Sequence, residues 1–151
     1  MAIIDRNNRP TNYNGEEAHI NNHYYVVATI SEEDWEAEVL ECTDIIISDR
    51  DYVHIDHHHP AELTHNGIDA IMYIDAVITN LNEIRYDAKH NSYLLIARDE
   101  IIRKKHGHKT AIVELKEEYI GYEKVYKIIT AHSFRRNDLL KYELLCVKPR
   151  T

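Results

Sequence analysis

The stretch from Ile45 to Asn80 constrains the fold most strongly, because an apolar run leads directly into a helix start. Residues 45–47 are three isoleucines, which predict a short buried strand. Ser48 or Asp49 then provides an N-cap, since its side-chain oxygen can accept hydrogen bonds from the free amides of a first helical turn. A short helix carrying histidines follows, Pro60 interrupts it, and a second helix is predicted to end at Asn80.

Apolar and β-branched runs elsewhere in the chain predict further strands. They lie at 23–30, 93–97, 110–115 and 124–131, with turns predicted at 87–91 and 117–121. Leucines near helical spacing predict a closing amphipathic helix over 135–147. The order of elements predicts an α+β fold in which helices pack on one face of an antiparallel sheet of about four strands.

Length and composition limit the domain organisation and the class of protein. The chain has 151 residues, which suit one domain, and we interpret 1–22 as a loose N-terminal arm and 23–151 as a single α+β domain. No apolar run approaches the roughly 20 residues that span a bilayer. Two distant cysteines suggest neither a disulfide framework nor a metal site, and a reducing, cytoplasmic setting is expected.

Eleven histidines are the most distinctive chemical feature of the chain. His54 and His58 are four residues apart and would share one helix face, with His59 immediately after them. His132 follows a predicted strand end at Thr130, where a cleft facing the helices is expected. Because His54 and His58 also match a common zinc spacing, a metal-dependent hydrolase is an alternative, although no glutamate lies between them as in the zincin motif.

Three basic side chains lie close in sequence to the predicted strand end. Arg135 and Arg136 come directly after residues 130–133, and Lys127 lies on the last predicted strand. Guanidinium groups bind phosphate through paired hydrogen bonds. These three residues are therefore the candidate phosphate-binding groups.

The order of these features resembles the phage-borne nuclease-like group of the barnase–EndoU–colicin–RelE superfamily. The resemblance covers about residues 45–134 and is carried by Ile47-Ser48-Asp49, His54, His59-Pro60, Tyr73-Ile74, Ile78-Thr79-Asn80, Ile84 and Ile129-Thr130-Ala131. It implies a barnase-like or RelE-like core with an N-terminal extension. It also implies RNA cleavage that requires neither a metal nor another cofactor.

The first hypothesis is therefore a toxin-type endoribonuclease of phage or mobile-element origin. Histidines would act as general base and general acid in a transphosphorylation, and arginines would stabilise the charge on phosphorus. The candidate catalytic residues are His54, His58, His59, Thr130 and His132, and the sequence leaves open which of His57, His58 and His59 faces the cleft. RNA would be the substrate.

The net charge of −8 motivates a hypothesis from a different class. An acidic surface disfavours general binding to nucleic acid but suits a protein that binds and inhibits a basic, nucleic-acid-handling host protein. The two hypotheses predict different geometry. Catalysis requires the helix histidines to approach His132, Thr130 and an arginine, whereas binding requires a continuous acidic surface.

Overall fold

The computed structural model describes residues 3–8, 23–58, 70–97 and 109–149. In these ranges the strands are β1 (Ile3–Asp5), β2 (His23–Thr29), β3 (Asp44–Ser48), β4 (Leu81–Asp87), β5 (Ser92–Ala97), β6 (Lys109–Ile120), β7 (Glu123–Arg135) and β8 (Glu143–Val147). The helices are α1 (Asp49–His58), α2 (Ala70–Thr79) and α3 (Arg136–Leu139), and a single 3-10 turn spans Trp35–Glu38.

All eight of these strands belong to one mixed sheet, in the order β1-β2-β3-β7-β6-β5-β4-β8. The pairs β1–β2 and β3–β7 are parallel, and the other pairs are antiparallel. The longest pairing joins β6 to β7 across a tight turn at Gly121 and Tyr122. Gly121 has a φ of +64°, a conformation that glycine adopts without the steric cost of a Cβ atom.

The start of α1 follows the capping signal in the sequence. The amide of Asp51 donates to Ser48 Oγ at 3.0 Å, and Ser48 Oγ donates to Asp51 Oδ2 at 2.9 Å. This reciprocal pair satisfies one of the free amides at the helix N-terminus. The prediction of a strand followed by a capped helix is confirmed, with Ser48 as the cap.

The sheet separates two apolar clusters of different size. We call the side covered by α1 and α2 the helix face, where Tyr52, Ile55, Ile74 and Val77 pack with alternate residues of the central strands. We call the opposite side the far face. Its smaller cluster consists of Leu94, Ile96, Ile112 and Leu139, with Phe134 and Tyr142 against it.

The predicted α+β fold, a barnase-like or RelE-like core with helices packed on one face of an antiparallel sheet of about four strands, is wrong. The described part of the chain is mostly strand, in one eight-stranded mixed sheet, and its helices are short. The prediction missed β4, whose alternating polar and apolar residues follow α2 directly. It also missed β1, three residues of the predicted arm that pair with β2.

Two further predictions near the C-terminus are wrong. The predicted closing helix over 135–147 is the four-residue helix α3 followed by β8, because pairing with β4 prevails over the helical spacing of the leucines. Residues 117–120 of the turn predicted at 117–121 belong to β6, and the chain reverses only at Gly121 and Tyr122. Residues 99–108, which the sequence indicates as a polar, basic link between strands, lie outside the described residues.

Candidate functional site

Thr130 and His132 lie side by side on β7, on the far face of the sheet. Thr130 is opposite Glu114 and His132 is opposite Ile112, and Ile112 belongs to the far-face cluster. The His132 ring also packs edge-on against Phe134, with 4.3 Å between centroids. The structure thus brings together two of the predicted catalytic residues, on the side away from α1 and α2.

His54 lies on the other side of the sheet. It is exposed on α1, whose Tyr52 and Ile55 are buried in the helix-face core. The sheet therefore stands between the imidazoles of His54 and His132. His58 ends α1 but its side chain is outside the described residues, as are His57's side chain and all of His59.

Two of the three predicted phosphate-binding cations are engaged with carboxylates. Lys127 Nζ lies 3.4 Å from Asp51 Oδ2 in the first turn of α1. Arg136 forms an ion pair with the buried carboxylate of Glu83. Arg135 is exposed at the end of β7. The catalytic and phosphate-binding assignments remain predictions, and among the described residues His54 and His132 lie on opposite faces of the sheet.

Glu83 is the centre of a buried ionic network that sequence reasoning missed. Arg85 Nε donates to Glu83 Oε2 at 2.7 Å, and a terminal nitrogen of Arg85 donates to the carbonyl of Tyr142 at 2.8 Å. Because Arg136 also pairs with Glu83, the network links β4 to α3 and to the start of β8. Its role is structural, and the signal for it was the charged residues alternating with apolar ones in 81–87.

A dense group of carboxylates forms a second candidate site, which we call the acidic segment, residues 31–41. Six carboxylates occur in these eleven residues, with no lysine or arginine among them: Glu32, Glu33, Asp34, Glu36, Glu38 and Glu41. Four of them are exposed, and Asp34 and Glu36 are half-buried. The composition of this stretch was visible in the sequence, but its relation to a cavity was not.

The acidic segment is fixed to the body of the protein at several points. Trp35, Ala37 and Val39 pack against the helix-face core, in which Leu40 is buried. Asp34 Oδ2 accepts from the Ser31 amide at 2.9 Å, and the Glu41 amide donates to the Tyr126 hydroxyl at 2.8 Å. The carboxylates are therefore presented from a braced backbone.

A cavity of about 180 Å³ opens beside the acidic segment. It lies between the end of β2, the last turn of α2, the first residue of β4 and the centre of β5. Its walls are mainly apolar. The lining residues are Ala28, Thr29, Ile30, Asp34, Glu36, Leu40, Ile45, Ile78, Leu81 and Leu95. Pockets with apolar walls and a few converging polar groups are the usual form of ligand sites.

Glu36 is the carboxylate most affected by this environment. Burial raises the pKa of Glu36 above its ordinary value, and the neighbouring Asp34 carboxylate raises it further, while Lys148 acts in the opposite sense. Within the described residues Glu36 forms no ion pair, and Lys148 is the positive charge that acts on it. A positive charge placed at the mouth of the cavity would therefore stabilise two carboxylates together.

No group of three or more His, Cys, Asp or Glu side chains in the described ranges is arranged to hold a metal ion. Within the same ranges, no helix combines the length and apolarity needed to cross a lipid bilayer. Comparisons with family models, curated proteins and solved structures found no match to this chain.

Proposed function

We propose that this protein is a non-enzymatic binding protein that uses its acidic segment to bind a positively charged protein surface. The observation that carries the proposal is the six carboxylates of residues 31–41 on a backbone braced by the core. Charge density of one sign increases association rates and selects partners of opposite charge. A braced segment also loses little conformational entropy on binding.

Little positive charge opposes this segment within the described residues. Lys124 Nζ pairs with Glu41 Oε1 at 2.9 Å and also lies 3.4 Å from Glu117 Oε2. Lys148 acts on Glu36. Glu32, Glu33 and Glu38 are exposed and form the part of the segment that a partner can reach. The expected partner is a basic protein, and a host protein that handles nucleic acid presents such a surface.

The test compares two triple variants that remove equal charge. Glu32→Gln/Glu33→Gln/Glu38→Gln neutralises the acidic segment, and Glu118→Gln/Asp138→Asn/Glu143→Gln neutralises three exposed carboxylates elsewhere. The probe is a fluorescein-labelled deca-arginine peptide, measured by anisotropy. We expect the first variant to bind about tenfold more weakly than the second, with all affinities falling between about 50 mM and about 300 mM salt.

Competition with a short DNA duplex for the same peptide tests whether the protein displaces nucleic acid from a basic partner. The wild-type protein and the control variant should release the DNA, and the acidic-segment variant should require a higher concentration. Equal effects of both variants would show that only net charge matters and would contradict a site at residues 31–41.

A second candidate, a metal-independent endoribonuclease, is favoured by the arrangement of Thr130, His132 and Glu114 on the far face. A carboxylate and an imidazole on adjacent strands are suitable groups for acid–base transphosphorylation. Ser92 Oγ donates to Glu114 Oε2 at 2.9 Å and holds that carboxylate in place. In this candidate Glu114, rather than His54, is the base.

A further inference from the structure

The cavity beside the acidic segment combines two properties that a single kind of ligand would satisfy. Its inner wall is formed by Ile45, Leu81 and Leu95, which belong to the buried core. Asp34 and Glu36 also line it, and because both are half-buried they lie nearer the surface than these three residues. An occupant must therefore place an apolar group inward and a positive charge outward.

The volume of the cavity sets the size of that apolar group. At about 180 Å³ the cavity is similar to the engineered cavity of about 150 Å³ in another protein that binds benzene. A group of one six-membered ring therefore fits. A larger drug-sized molecule, which occupies a pocket of about 300 Å³ or more, does not.

The end of α2 acts in the same electrostatic sense as the two carboxylates. Ile78, in the last turn of this helix, lines the cavity, and no basic residue occupies that turn. The partial negative charge at a helix C-terminus favours a nearby cation. Three sources of negative charge, namely the carboxylates of Asp34 and Glu36 and the C-terminal end of α2, thus lie around an apolar space.

We propose that this cavity binds a small organic cation, a primary amine carrying an apolar group the size of one aromatic ring. The amine lies between the Asp34 and Glu36 carboxylates, and the ring contacts Ile45, Leu81 and Leu95. This site uses the half-buried carboxylates of the acidic segment. It is therefore separable from the exposed Glu32, Glu33 and Glu38 that carry the proposed protein-binding function.

The test uses phenethylamine with two matched controls, 2-phenylethanol, which has no charge, and phenylacetate, which has the opposite charge. Binding to the full chain is followed by titration in amide NMR spectra. We expect a dissociation constant on the order of 1 mM for phenethylamine, with shifts in residues 28–40, and at least tenfold weaker binding of both controls. Equal binding of the three molecules would overturn the proposal, as would no phenethylamine binding.

Variants test the two halves of the site separately. Glu36→Gln should weaken phenethylamine binding at least fivefold but leave 2-phenylethanol unaffected, whereas Glu38→Gln, an exposed neighbour outside the lining, should change neither. Ala28→Leu fills the cavity and should weaken both ligands, with Ala28→Val as the milder substitution if the leucine variant does not fold. Unchanged phenethylamine binding in Glu36→Gln and Ala28→Val would overturn the site.

Failure of this proposal is distinguishable from failure of the protein-binding function. The triple variant at Glu32, Glu33 and Glu38 leaves the cavity lining intact and should retain phenethylamine binding. Loss of phenethylamine binding in that variant would show that the amine is held by general charge instead of by the cavity.

Discussion

At the scale of single residues, the two cysteines show how strongly local surroundings determine reactivity. Cys42 is exposed at the end of the acidic segment, whereas Cys146 is half-buried on β8 against the helix-face core. Burial raises the pKa of the Cys146 thiol to about 11, and the carboxylates of Glu38 and Glu36 add to this shift. Because the thiolate is the reactive form, Cys146 is expected to be the slower thiol.

Thiol labelling at pH 8 tests this difference. With a pKa of about 11, only about one Cys146 side chain in a thousand is ionised at that pH. We expect a disulfide reagent to modify one thiol rapidly and the second at least about a hundredfold more slowly. Cys42→Ser should remove the fast phase and Cys146→Ser the slow one. Two equal rates in the wild-type protein would contradict the burial of Cys146.

At the scale of elements, the sequence predicts the parts that local signals define. The strand β3 and the Ser48 cap of α1 could be predicted from the sequence, because both depend on neighbouring residues. The strand β8 could not be predicted, since its leucines acquire a strand conformation only by pairing with β4, some sixty residues earlier in the chain. β4 pairs locally with β5 and carries an alternating pattern in its own sequence, which the prediction overlooked, and the ionic network around Glu83 was missed with it.

The turn between β4 and β5 depends on one carboxylate. Asp87 Oδ1 accepts from the Lys89 amide at 3.0 Å, and His90 Nδ1 lies 2.7 Å from Asp87 Oδ2. Although burial alone would raise the pKa of Asp87, the hydrogen bonds and charge of His90 and the Lys89 amide lower it below its ordinary 3.8. Its ionised form therefore stabilises the folded protein.

A lowered pKa gives stability that is present above the unfolded-state pKa and is lost as pH falls through the folded-state pKa. We expect Asp87→Asn to destabilise the protein by about 1–2 kcal/mol at pH 7, since hydrogen bonds to a charged group are lost. The difference from wild type should shrink below about pH 4. Urea unfolding at several pH values measures it, with the exposed Asp138→Asn as control. A difference independent of pH would contradict the role of the ionised carboxylate.

At the scale of the whole molecule, the sheet acts as a partition between two sets of functional groups. α1 with His54, the cavity and the acidic segment belong to the helix face or its border, and Thr130, His132 and Glu114 lie on the far face. The sequence could supply these residues but not their sides, because a shift of one position in strand register exchanges the faces. The predicted meeting of His54 with His132 depended on that unknown register.

This partition predicts the pattern of any RNA cleavage by the protein. Cleavage that persists in EDTA should fall by about 10²–10⁴-fold in His132→Ala, the loss typical of a general acid–base group. It should remain at the wild-type level in His54→Ala, because His54 lies across the sheet from Thr130 and Glu114. Incubation of total RNA with the wild-type protein and both variants, followed by gel electrophoresis, makes the comparison. An equal loss in both variants would place the two imidazoles in one site and contradict the partition, whereas intact RNA in every sample would remove the nuclease candidate and leave the binding function.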